Sequence, residues 1–172
     1  MKSYVAFAIL LIVVIAIVIP VSYFVANSVV SDAVYRKFSL GQNSGSGEIH
    51  VGSTDVTFSG SFNFGNGADI PLTLDRANIT VYVIPAERPY DGSLFFDWVI
   101  GWDMPHIGSA SVENEPLPAH GQFSLPLNWH VTSKDALNVI RSGNYSVGWY
   151  WTELTVSGTY LFWHITPSLV IQ

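Results

Sequence analysis

The sequence predicts a mainly β protein: an antiparallel β-sandwich with one short helix, preceded by a single N-terminal transmembrane α-helix. Three observations carry this prediction. No charged residue occurs between Lys2 and Asp32. Farther along, several runs alternate apolar and polar residues with a period of two, the signature of half-buried strands. Turn-forming residues punctuate the gaps between those runs.

Tyr4 to Val21 is an unbroken apolar run, and after Ser22 the apolar character continues through Tyr23, Phe24, Val25 and Ala26. A bilayer core of about 30 Å needs about 20 apolar residues of helix, so residues 4–26 can contact lipid across a whole membrane. A secretory signal is the rival reading. Its apolar core is usually about 7–15 residues, and the best cleavage site, after Ser28 with Ala26 at −3, is mediocre. A buried core helix would keep a polar face, which this run lacks. Pro20 is tolerated in a membrane helix with a kink. Tyr23 and Phe24 fall where aromatic rings favour the interface. Val29, Val30, Ala33 and Val34 continue a helical spacing, so a stalk is expected to project past the membrane.

Orientation is balanced by charge alone, with Lys2 on one flank and Arg36 and Lys37, offset by Asp32, on the other. The short N-tail and two glycosylation sequons, Asn78-Ile-Thr80 and Asn144-Tyr-Ser146, favour a C-terminal domain outside the cytoplasm. The expected organisation is an anchor and stalk at 1–37, a linker and first strand at 38–53, and a β-sandwich at 54–172. Gly41 to Gly47 reads as flexible linker by composition.

The chain beyond residue 37 is one domain's worth of sequence, enough for a core without staples. There is no cysteine, which excludes disulfides, thiol nucleophiles and thiolate metal sites. The net charge of −6 comes without a basic patch, so no nucleic-acid partner is expected. Charged residues are 12% and aromatics 14%, a balance that suits β structure and not disorder.

Val56, Phe58, Gly60, Phe62 and Phe64 form one alternating face. Phe123, Leu125, Leu127, Trp129 and Val131 form another, and Tyr145, Val147, Trp149 and Trp151 a third. Asn78 to Ile84 reads as a strand covered on both faces. Leu154 to Ile165 alternates at first and turns apolar on both faces from Tyr160. Turns are expected at 65–67, 88–92 and 142–144. One helix is expected after Thr132 or Ser133, with Ala136, Leu137 and Ile140 on one face, Arg141 in its last turn and Gly143 beyond its end. Short strands with a single helix suggest a two-sheet sandwich or a barrel-like relative.

The order of these segments resembles a known family. An alternating strand ends in FNFGNGADIPLTL and is followed by NITVYVI. His-Ile-Gly-Ser-Ala (106–110) and Pro-Leu-Pro-Ala (116–119) come next, then a strand and helix, then LTVSGTYLFW. This resembles the type-2 late-embryogenesis-abundant domain, also called the water-stress and hypersensitive-response domain, over about residues 54–171. The family's Asn-Pro-Asn-Pro turn is here residues 63–67 without proline, and 86–105 looks like an insertion. The resemblance implies a small antiparallel sandwich with one helix, an association with desiccation or stress, and no catalytic centre to carry over.

No chemistry stands out. His50, His106, His120, His130 and His164 form no close zinc spacing, and for His130 and His164 a place on a strand surface is the default. Asp97, Trp98, Trp102, Asp103 and His106 could hold a divalent cation or simply be the polar part of a hairpin. Glu113 and Glu115 read as a solvated rim. No nucleophile elbow, P-loop or dinucleotide fingerprint is present. Catalytic residues, cofactors and metals are therefore expected to be none, and the protein is read as no enzyme. The aromatics Trp98, Trp102, Trp149, Tyr150, Trp151 and Trp163 are either large core residues or a surface for a partner, a glycan or lipid.

The reading that follows is a membrane-anchored, extracytoplasmic, non-catalytic binding or protective module at the cell envelope. The alternative is a structural subunit of a surface filament, pilin-like or strand-donating, to which the near absence of a basic leader in Met1-Lys2-Ser3 is an objection. A further alternative is an accessory subunit of a membrane complex, packing through Ala6, Ala8 and Ala16.

Overall fold

The computed structural model describes residues 2–40, 46–86 and 104–168. Helix α1 runs from Lys2 to Asp32 with Pro20 inside it. Every side chain from Ala6 to Val21 is exposed, and the helix is long and apolar enough to cross a membrane. Past Asp32 the backbone widens into a π-helical turn at Ala33–Lys37 and becomes extended at Phe38. Arg36 pairs with Asp32 one turn back at 3.2 Å. Arg36 and Lys37 also place positive charge at the helix's negative end, where it is favoured.

The first sheet is built around β3 (Val56–Asn66). Along one edge lie β1 (Phe38–Leu40) and β2 (Ser46–Val51) end to end, pairing with residues 64–66 and 56–61 of β3. Residues 38–53 thus supply two strands to the sheet, and Gly47, placed in the linker by composition, is already in β2. The other edge of β3 pairs antiparallel with β6 (Gln122–His130). The expected faces are the buried ones: Val56, Phe58, Phe62 and Phe64 from β3, Leu125 and Leu127 from β6 and Val131 just beyond it.

The second sheet has the order β5-β4-β7-β8, all antiparallel. Its members are β4 (Leu72–Pro85), β5 (His106–Leu117), β7 (Tyr145–Tyr160) and β8 (Trp163–Ile165). Central β4 has a single exposed residue, Arg76, as two-sided coverage of 78–84 requires. The runs 145–152 and 154–160 belong to one strand, because register shifts beside Asp75 and Asn78 let β7 stay paired while its phase changes. The stretch from Tyr160 to Ile165, expected to be apolar on both faces, is the end of β7, a two-residue hairpin turn at Leu161-Phe162, and β8.

Helix α2 (Lys134–Arg141) begins at Ser133, whose hydroxyl accepts from the Ala136 N–H at 3.4 Å. It ends before Gly143, whose φ of +77° explains the glycine. Ala136 and Ile140 are buried in the common core with Phe64, Leu74, Ile79, Val81 and Leu117. Trp129 of β6 stacks on Phe58, 5.5 Å between ring centres, and lies over Gly108 of β5.

Asn66, 2% exposed, ties two loops together at the end of β3. Its Nδ2 donates to the carbonyls of Ile70, Leu117 and Pro118 at 2.9–3.0 Å, and its Oδ1 accepts from the Ala68 N–H at 3.0 Å. Gly65 and Asn66, expected in a turn, are still paired in β3, and the chain bends just beyond them at 68–70.

Candidate functional site

The junction between α1 and the sandwich is the most distinctive feature of the molecule. Ala26, Val30, Ala33 and Val34 recur at helical spacing on one face and are buried in the same core as the strands. Val30, Ala33 and Val34, expected in a projecting stalk, therefore pack into the head. Burying such a face favours docking by ~25 cal/mol per Å² of apolar area, far more than a flexible tether offers.

Polar contacts extend the junction in both directions. Trp163 Nε1 donates to Ser22 Oγ at 3.1 Å, and the Ser22 hydroxyl donates to the Ile19 carbonyl at 2.8 Å. The Trp163 ring meets Tyr23 edge-on, 5.1 Å between centres. A Cβ placed on Gly158 would stand 3.1 Å from Val30 Cγ1, so β7 comes close to the helix there. Beyond β8, Tyr35 Oη donates to the Ser168 carbonyl at 2.8 Å.

The structure separates the aromatics singled out above. Trp149 and Trp151 point into the sandwich, each edge-on to Phe62 at 5.7 and 4.7 Å, and Trp151 also meets Phe64. Trp149 is 39% exposed at the mouth of a slot of about 160 Å³ lined by Gly47, Phe58, Ser61 and Phe62. That is below the roughly 300–1,000 Å³ of ordinary ligand pockets. Tyr150 lies on the outer face, stacked on Tyr82 at 5.2 Å, with Met104 buried against both. Burial pushes the Tyr82 phenol well above its ordinary value, and its hydrogen bond with Tyr150 adds to the rise. Trp163 belongs to the helix junction. Trp98 and Trp102, with Asp97 and Asp103, lie outside the described residues.

The polar candidates are spread over the surface. Asn78 sits in central β4, half-buried, and its Nδ2 donates to Glu153 at 3.1 Å. The sequon's Thr80 is buried and hydrogen-bonds Ser109 at 3.0 Å. Asn144 is exposed in the turn before β7, and Ser146 is exposed too. Arg76 bridges Glu113 at 3.1 Å and Glu153 at 3.4 Å across three strands. His120 contacts Asp69 at 2.9 Å, His50 Ser59 at 3.3 Å and His164 Thr159 at 3.3 Å, while His130 is exposed. Among the described residues no three His, Asp or Glu side chains gather as metal ligands. Sequence reasoning overlooked Ser22, whose partner Trp163 lies 141 positions away, and the exposed turn at Leu161 and Phe162, for which the loss of alternation after Tyr160 was the signal. No family model matches the chain, and no curated protein or solved structure matches it.

Proposed function

We propose that the protein is a membrane-anchored, non-catalytic module whose β-sandwich is held outside the cytoplasm, a binding or protective domain of the desiccation-related type at the cell envelope. One observation carries the reading. The apolar first half of α1 is bare on all sides, while its later turns are part of the head's core. A span continuous with the head holds the sandwich in one attitude to the membrane, so the domain acts by presenting surfaces. The exposed Asn144 sequon supports the extracytoplasmic side. The order of strands around a single helix supports the family resemblance, and fold analogy alone does not assign an activity.

The same observation favours a second reading, a pilin-like filament subunit, because a bare apolar half-helix above a docked half also suits a fibre core. Detergent extraction of the native membrane, with sizing and intact-mass measurement, separates the two. A full-length chain in a small particle is expected. A large detergent-resistant polymer overturns the tethered module and supports the filament, and stoichiometric companions point to an accessory subunit.

A further inference from the structure

We propose that the tip of the β7–β8 hairpin, Leu161 and Phe162 with Trp163 behind them, is seated in the interfacial layer of the bilayer beside Tyr23 and Phe24. The lipid surface is thereby a second point of attachment for the head. This inference rests on α1 being a membrane span.

Three ties fix the direction of the hairpin. Ser168 meets Tyr35, Gly158 (paired with Ile165) meets Val30, and Trp163 meets Ser22. From Ser168 back to Trp163 is about 17 Å of extended chain, and from Tyr35 back to Ser22 about 20 Å of helix. The two segments therefore run side by side, in the same chain direction. The next residues in that direction are Phe162 and Leu161, so the tip points toward the apolar half of α1.

Depth follows from the helix. Tyr4 to Ser22 spans about 27 Å, close to the bilayer core of about 30 Å. Trp163 thus meets the helix at the boundary level, with its N–H satisfied by Ser22 and its ring against Tyr23. Tryptophan and tyrosine prefer that level. Leu161 is 61% and Phe162 68% exposed, and Phe24 beside the junction is 73% exposed. Such a cluster is a liability in water and is satisfied at a lipid interface. The turn chemistry agrees. Leu161 has φ +56°, a conformation for which a two-residue hairpin ordinarily uses Gly or Asn. The tip carries bulky apolar residues where small ones are locally easier.

The chain has no cysteine, so single-cysteine spin labels can be placed in the full-length protein. F162C tests the tip, V14C the middle of the span and N144C the far end of β7. Each is reconstituted in phosphatidylcholine–phosphatidylglycerol vesicles, and accessibility to oxygen and to a water-soluble nickel chelate is read by power saturation. V14C is expected to be deepest, and F162C to have an oxygen-to-nickel ratio several-fold above N144C. If V14C is deep and F162C matches N144C, the hairpin inference falls while the anchor stands. If F162C is shielded from both reagents, the tip is covered by protein, such as a second copy, and the inference falls. If V14C is shielded from both, the helix is packed in protein, and both the anchor and the hairpin contact fall.

Discussion

Replacing Val30 by alanine tests whether the anchor is part of the head's core. Val30 is fully buried on the docked face of α1, with its Cγ1 over Gly158. The change removes two methylene equivalents, worth about 1.6 kcal/mol of transfer free energy. A residual cavity of roughly 40 Å³ adds about 1 kcal/mol, at about 24 cal/mol per Å³. Gly158 has no side chain to swing into the gap, so little of that cost is recovered. The expected loss is about 2.5 kcal/mol, or about 10 °C in Tm for a head of this size. Val18→Ala is the control, because Val18 lies on the same helix, 53% exposed and away from the head. Its effect on the head should stay within about 0.5 kcal/mol. Urea unfolding in detergent micelles, followed by tryptophan fluorescence and near-ultraviolet circular dichroism, reads both variants. Coincident midpoints for V30A and V18A would refute the docked anchor and restore a flexible tether.

Asn66→Ala should cost about 2–4 kcal/mol in the same assay, because it leaves the buried Leu117 carbonyl without its donor. Asn66→Asp should cost more at neutral pH, since a carboxylate then faces three carbonyl oxygens. That deficit should shrink as pH falls toward about 4, where protonation restores a donor; a pH-independent deficit would contradict the assignment. Tyr82 has a phenol raised by burial above its ordinary 10.0, so its contribution is complete below that value and is lost as pH rises beyond it. Tyr82→Phe should flatten the alkaline decline of stability, and an unchanged decline would count against a buried Tyr82. Gly108→Ala should cost about 1–3 kcal/mol by overpacking, because its Cβ would lie 2.5 Å from Trp129 Cδ2. Crystallography or an NMR shift at the Trp129 indole would show the displaced ring.

Much of the fold is local in origin and therefore readable along the chain. Alternation at 56–64 and 123–131 names the buried faces of β3 and β6, because a strand's side-chain period is two whatever it pairs with. Ser133 and Gly143 mark the ends of α2 by their capping chemistry. The charge-free run of α1 reports its own length and apolarity. The hairpin at Leu161-Phe162 was hidden because its turn carries none of the usual turn residues. Asn66 looked like an ordinary turn asparagine, since its partners lie up to 52 positions away.

The sequence by itself determined the extent of α1 and α2 and the buried faces of β3 and β6, because these follow from periodicity and end-capping within a few residues. Only the tertiary structure decided where those faces meet. Trp149 and Trp151 turn inward while Tyr150 turns out, and the later turns of α1 join the core. Trp163 finds Ser22 across 141 positions of chain. Such contacts leave no local pattern, because complementary surfaces select them only once the whole chain has been brought together.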